Sequence, residues 1–278
     1  MFYNIIVFIF GLIIGSFLNC VIYRLEKREK LTGRSYCPNC NHTLSWPDLA
    51  PVFSFIFLQG KCRYCGKKIS MQYPIVEIAT GIIFLLIFNY QFPIINQLSI
   101  YKLSSLISLI FLFYIAGSLI VIFFYDLKHL IIPDKILFPA IAVSFIYRVL
   151  DFKNLDLFKI SDLGFRISTP LINYTLAAFL ASGFFLAIYL LSRGNWMGFG
   201  DVKLAVLLGL LLGFPNVLAG LFLAFFFGAI IGLIIILLKK GGLKSQLPFA
   251  PFLILGSFIA LFWGQEIVRW HQSIFLLI

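Results

Sequence analysis

The chain has 278 residues and a formal net charge of +11; it is 61% hydrophobic and only 12% charged. A mean hydropathy of +1.01 excludes an ordinary soluble domain, where roughly a quarter of residues are charged, because so much Phe, Leu and Ile could not be kept from water. The Lys and Arg surplus does not indicate nucleic acid. No basic-aromatic face is present, and the charges cluster between long apolar runs, as they do in the loops of a polytopic membrane protein.

Residues 1–23 carry no charge and are followed by Arg24, Lys27, Arg28 and Lys30. The basic region of a cleaved signal is missing and no small-residue cleavage site follows. The run is therefore expected to remain as a first transmembrane helix with its N-terminus outside. A polar, cysteine-bearing segment occupies 24–73. Uncharged stretches then predict spans over 78–101, ending near Pro93, and over 103–125, running into Asp126. A short one at 136–147 follows, then a charged loop and a span over 167–192. Residues 204–238 are uncharged for 35 positions, about 52 Å as one helix, too long for a ~30 Å hydrocarbon core. Gly213-Phe214-Pro215 predicts the break. The first half must then begin near Met197, which puts Asp201 in its N-terminal turn. A last span covers 247–264.

The expected fold is an all-α integral membrane protein of about eight transmembrane helices. It is organised as a first helix (1–23), a cytosolic four-cysteine segment (24–73) and a seven-helix part (74–278). With the N-terminus outside, loops 24–73, 126–135, 193–203 and 239–248 face the cytosol. They hold 16 of the 22 Lys and Arg residues, as the positive-inside rule requires.

Cys37-Pro38-Asn39-Cys40 and Cys62-Arg63-Tyr64-Cys65 are two Cys-x2-Cys pairs separated by 21 residues. Four thiolates complete a tetrahedral site with no open position for substrate. Structural zinc is the expected occupant. Mononuclear iron or a cluster and two disulfides are the alternatives, and disulfides are disfavoured in a reducing cytosol. Cys20, within the first helix, reads as a packing residue.

Only 11 acids exist in the chain, so an acid beside a span needs a reason: an Asp at a helix centre costs ~2.5–3.5 kcal/mol on insertion scales. Asp126 lies in Tyr125-Asp126-Leu127-Lys128, followed by Ile132-Pro133-Asp134. Asp201 lies in Gly198-Phe199-Gly200-Asp201-Val202-Lys203. Both fall at the cytosolic ends of their helices, 75 residues apart in sequence. Two carboxyl groups brought together share one proton, so that one serves as general base on water while the other polarises a carbonyl. The alternative is that Asp201 caps its helix and Asp126 reaches out to water. The glycines beside Asp201 would let an extended substrate backbone approach. Asp134 is expected to cap a helix. Glu77, one turn into the second span, is expected to be buried and paired, and His129 reads as a boundary residue. The absence of His-Glu-x-x-His excludes that class of zinc protease. No Gly-x-Ser-x-Gly or phosphate-binding glycine loop is present either.

Six ordered motifs resemble the type IV prepilin peptidases. They are Gly15-Ser16-Phe17-Leu18-Asn19-Cys20-Val21-Ile22-Tyr23-Arg24, the loop from Arg34 to Cys65, and Tyr73-Pro74-Ile75-Val76-Glu77, then Asp126 to Asp134, Gly198 to Lys203, and Leu247-Pro248-Phe249-Ala250-Pro251-Phe252. In the last, Ala250 stands where the family usually has Gly, which bears on a close backbone approach. The resemblance implies that Asp126 and Asp201 are the catalytic pair. The substrates it implies are prepilins or pseudopilins with a short basic leader, cut at the cytosolic face just before a hydrophobic helix. It also implies methylation of the new N-terminal amine with S-adenosylmethionine. A preflagellin-type or other intramembrane Gly-x-Gly-Asp protease, an ion-coupled transporter and an inactive assembly scaffold are the competing readings. The four-cysteine loop favours the bacterial branch, no inverted repeat supports a transporter, and both acids keep their glycines.

Overall fold

The computed structural model describes residues 2–97, 102–150, 170–238 and 247–275. The elements in chain order are α1 (Phe2–Lys27), a 3-10 turn η1 (Trp46–Leu49), α2 (Phe53–Phe57), α3 (Gln72–Gln97) and α4 (Lys102–His129). They are followed by α5 (Asp134–Leu150), α6 (Pro170–Ser192), α7 (Phe199–Leu212), α8 (Asn216–Leu237) and α9 (Ala250–Phe275). Six of these, α1, α3, α4, α6, α8 and α9, are long and apolar enough to cross a membrane by length and composition. The all-helical membrane architecture is as expected. Among the described residues, α5 and α7 are the shortest of the eight longer helices, at 17 and 14 residues. The charged loop expected before the fifth span, that span's first residues 167–169, and residues 239–246 lie outside the described residues.

Several helix limits differ from those read off uncharged runs, for one reason. Absence of charge locates hydrocarbon, whereas a helix continues through the polar rim as long as its backbone bonds are made. Thus α3 opens at Gln72 rather than Ile78, encloses Glu77, and passes Pro93. Helix α4 does not stop at Tyr125 but continues through Asp126 to His129. The last helix runs past Gly264 to Phe275, and Arg269 donates to Gln265 one turn back. The break at 213–215 is present. Helix α7 begins at Phe199, close to the expected Met197.

The chain divides into two compact units, residues 1–124 and 125–278, with the boundary inside α4. In the first unit, α1 and α3 pack backbone to backbone. A Cβ on Gly11 would lie 2.7 Å from the Gly81 Cα, and one on Gly15 would lie 2.6 Å from the Glu77 Cα. Small residues four apart permit this approach, which matters in lipid because helices there associate through close van der Waals contact. Phe84 of α3 stacks on Phe113 of α4 at 4.2 Å between ring centroids. Gly15→Leu is expected to force the helices apart and destabilise by about 1–3 kcal/mol. Gly183→Ala, whose added methyl meets nothing within 4 Å, should not. Thermal unfolding of both variants in detergent checks the contrast.

The segment around 15–24 also ties the unit together through polar contacts. Asn19 Nδ2 donates to the Tyr73 carbonyl at 2.9 Å. Arg24, only 3% exposed, donates to the carbonyls of Lys30, Gly33 and Arg34 and so folds the following loop onto the end of α1. A buried guanidinium needs such partners, since an unpaired buried charge is very costly.

In the second unit, α7 is the buried centre, with Leu204, Leu207 and Leu208 fully enclosed. Gly209 lies so close to the Ala177–Ala178 backbone of α6 that no Cβ would fit. Gly256 of α9 meets Gly220 and Ala224 of α8 in the same way. At about 21 Å, α7 is too short to cross alone, and its last carbonyls would be stranded in the hydrocarbon. Arg148 of α5 supplies the missing donors, to Leu210 O at 3.0 Å and Leu211 O at 2.9 Å. Its guanidinium lies 3.5 Å from the centroid of the Tyr174 ring. Asn173 exchanges two hydrogen bonds with the Phe214 backbone.

Candidate active site and metal centre

Asp126 occupies the last turn of α4. The helix ends because Leu130, at φ 56, turns its N–H back to Asp126 O at 2.8 Å. The carboxyl group is buried, with the residue 5% exposed. It accepts a hydrogen bond from the backbone N–H of Ala250, the first residue of α9. This is what the Leu247–Phe252 motif does here: it starts a helix against the acid, and the unpaired N–H groups of a helix start favour a negative partner. Ala250 is itself fully buried, so the methyl that replaces the usual glycine hydrogen is accommodated.

Asp201 sits at the third position of α7, after the N-cap Gly198, and its carboxyl group accepts the Gly198 backbone N–H. It therefore makes the returning half of a capping box rather than acting as the cap. It is 8% exposed. Asp126 and Asp201 lie within electrostatic reach of each other.

Their approach has a visible cause. The short connection from α4 to α5 is fastened to the start of α7 at two points. Ile132 packs where a Cβ on Gly200 would stand, at 3.2–3.3 Å. Asp134, the first residue of α5, forms an ion pair with Lys203, 2.5 Å from Nζ to Oδ1. The expectation of substrate access through both glycines is thereby corrected: Gly200 is filled by Ile132. Only Gly198 is exposed and open, with its nearest non-neighbour atoms 3.9–4.0 Å away and Asp201 Oδ2 among them. Lys203 is 23% and Asp134 52% exposed at the side chain, and a pair so placed contributes at most about 1 kcal/mol to stability. With Asp201 as the expected reacting group, charge reversal at Lys203 alone should slow turnover at least tenfold, because misplacing such a group by about 1 Å is enough for that, with little change in unfolding temperature. The exchanged pair Asp134→Lys with Lys203→Asp should recover much of the rate, and steady-state kinetics of the three proteins checks it.

Glu77 is buried at 6% exposure. Its partners, which the sequence did not identify, are the Val52 backbone N–H, 2.7 Å from Oε2, and the Ser16 hydroxyl. His129, in the last turn of α4, lies against Tyr125 with ring centroids 4.6 Å apart.

The two cysteine pairs form matching knuckles. A β-bridge flanks each, Tyr36 with Thr43 and Lys61 with Lys68. In each, the residue four past the first cysteine is left-handed, Asn41 at φ 57 and Gly66 at φ 68, and its N–H returns to that cysteine's carbonyl at 2.9 Å. All four sulfurs lie within 4.8 Å of one another. The Cys37–Cys65 Sγ separation of 3.9 Å is nearly twice a disulfide bond and matches the edge of about 3.8 Å that a tetrahedron with 2.3 Å metal–sulfur bonds requires. The cluster can hold a metal ion. Burial opposes charge on Cys37, but N–H groups of Asn39 and Cys40 and the neighbouring thiols outweigh it and bring that thiol to about 7. On Cys65 a hydrogen bond from the Lys67 backbone favours the thiolate, yet desolvation and the other three cysteines together push it up to about 11.

The segment between the knuckles is not passive. Burial acts against ionisation of Asp48, but hydrogen bonds from Ser45, Arg63 and Tyr64 prevail and hold its carboxyl at about 2. His42 of one knuckle lies on Tyr64 of the other, 3.7 Å between ring centroids.

The description "Bacterial Peptidase A24 N-terminal domain" matches residues 9–91, and "Type IV leader peptidase family" matches residues 112–233. Proteins named prepilin leader peptidase/N-methyltransferase align over most of the chain. That of Bacillus subtilis is 31% identical, covering 96% of this chain and 96% of its own length. That of Aeromonas salmonicida is 29% identical, covering 99% and 95%, and that of Vibrio cholerae 34%, covering 76% and 78%. No solved structure gives a significant match. Near-complete alignment to such relatives, with the acids and the cysteine knuckles falling in the two matched segments, establishes that the chain belongs to the type IV leader peptidase family.

Proposed function

We propose that this chain is a prepilin leader peptidase/N-methyltransferase, an aspartic endopeptidase whose acid pair is Asp126 and Asp201. The observation that supports the reading is that these two carboxyl groups are buried within electrostatic reach of each other, each holding an N–H from a helix start. In the resting pair one carboxyl is ionised and the other holds the shared proton. The ionised group takes a proton from water as the water oxygen attacks the scissile carbonyl carbon. The neutral group donates its proton to the carbonyl oxygen. As the resulting gem-diol collapses, the carboxylate that gave up its proton takes one back from a hydroxyl group, the C–N bond breaks, and the amine leaves with the proton taken from water. The exposed backbone at Gly198, beside Asp201, gives room for an extended substrate strand.

The substrate class is a prepilin or pseudopilin with a short basic leader ahead of a hydrophobic helix. The site faces the cytosol of a bacterial inner membrane, with the N-terminus outside, on the support of the basic loops at 24–73 and 126–135. The metal of Cys37, Cys40, Cys62 and Cys65 is zinc. Four thiolates leave it no open position, so it staples the 24–73 insert between the first helix (1–23) and the part carrying both acids (74–278). For methylation, S-adenosylmethionine is the donor class. Among the described residues no cluster is identified that would hold it, and no step is derived through it.

The test is incubation of the purified chain with a candidate prepilin and S-adenosylmethionine, followed by mass measurement of the product. A mass lower by the leader and higher by one methyl group is expected. An unchanged substrate mass contradicts the reading.

A further inference from the structure

The cysteine-bearing insert exposes apolar side chains that a water-facing domain would hide. Trp46 of η1 is 84% exposed, and Phe53, Ile56 and Phe57 of α2 are 60%, 63% and 82% exposed. Leaving such side chains in water forgoes the free energy of burying them.

The depth of this patch is fixed by one hydrogen bond. Val52, the residue before α2, donates its N–H to Glu77 Oε2. Glu77 lies inside the membrane-crossing stretch of α3, Gln72–Gln91, about 7.5 Å along the helix from Gln72. The chain accepts strain to make this contact. Val52 stands at φ 60, ψ −47, and Phe53 N–H closes back on Pro51 O. This is a γ-turn of the rare positive-φ kind, strained for a β-branched residue. Helix α2 is thus tied to the level at which α3 itself presents Ile75 and Ile78 outward, 50% and 40% exposed. The apolar patch continues a lipid-facing surface rather than standing free of it. Lys61, Lys67 and Lys68, all exposed, follow it in the chain, as fits a segment lying against anionic headgroups.

We propose that η1 and α2 form an interfacial membrane anchor, with Trp46, Phe53, Ile56 and Phe57 entering the boundary between headgroups and acyl chains. The inference rests on the membrane fold and is independent of the peptidase reading. To test it, Trp196, Trp263 and Trp270 are replaced by Phe, leaving Trp46 as the reporter in the full chain. The protein is reconstituted in vesicles of three parts phosphatidylcholine to one part phosphatidylglycerol. Bromines placed high on the acyl chains should quench Trp46 emission to about half or less, as burial at the headgroup/acyl boundary implies, and aqueous iodide should quench it several-fold less than free tryptophan. Should the triple replacement fail to fold, the difference between the unchanged chain and Trp46→Phe reports the same residue. Full iodide access without bromine quenching overturns the proposal. So does iodide protection that arises only on adding an apolar peptide, which would make the patch a peptide-docking surface.

Discussion

Asp126→Asn and Asp201→Asn should each lower prepilin cleavage by at least about a thousandfold, the scale of a lost general acid or base, while leaving the folded protein intact. Asn keeps the size of Asp and an oxygen that still accepts the Ala250 or Gly198 N–H, so the unfolding temperature should move little. What disappears is the exchangeable proton. On the proposed mechanism the roles are coupled: with Asn at either position the remaining carboxyl has no partner with which to divide the tasks of taking a proton from water and giving one to the carbonyl. A merely structural pair would behave differently, losing stability and activity in parallel. Single-turnover cleavage of a prepilin, measured with circular dichroism on the same samples, separates the two outcomes.

Removal of the proposed metal should unfold the insert while sparing the acids. A small segment stapled by four thiolates draws most of its stability from the ion, of the order of 10 kcal/mol in isolated zinc modules, and nothing else in 24–71 forms a large core. Chelation, or Cys37→Ser with Cys62→Ser, is expected to abolish amide-exchange protection over 35–68 and to leave α7 protected. The pH dependence discriminates further. The ion is lost as protons compete for the thiolates on acidification. Asp48 acts lower: its carboxyl is held at about 2 against an ordinary 3.8, so its contribution is complete above roughly pH 4 and fades as pH falls through about 2. Loosening at mildly acid pH should therefore track metal release, and Asp48→Asn should not shift that midpoint. Exchange mass spectrometry across the pH range checks both statements.

The candidate site residues were more legible in the sequence than the scaffolding that positions them. Two acids in a chain of 11, each at the rim of an apolar run, announce themselves by cost, and two Cys-x2-Cys pairs announce a metal by spacing. What positions them was hidden because it depends on residues far apart in the chain. Ala250 serves Asp126 from 124 positions away, through a backbone N–H that has no signature of its own. Lys203 pairs with Asp134, 69 positions away, a partnership that spacing does not announce. Glu77 was recognisable as a buried acid, but its partner is the amide of a strained valine, which no residue-type rule identifies. Helix limits were misread wherever a helix outlasted its uncharged run, at Gln72, His129 and Phe275, since composition marks hydrocarbon rather than hydrogen bonding. Gly11 was not singled out in the sequence, and it is the close approach of Gly81 and Glu77 that shows what Gly11 and Gly15 are for.

The joint action of Asp126 and Asp201 is tested most directly by a double-mutant cycle on cleavage of one prepilin, comparing Asp126→Asn, Asp201→Asn and the double replacement. Groups that work as a unit are not additive. The double variant should be no slower than the slower single one. Losses that multiply, or a single variant that still cuts at near the parental rate, would contradict a shared acid pair.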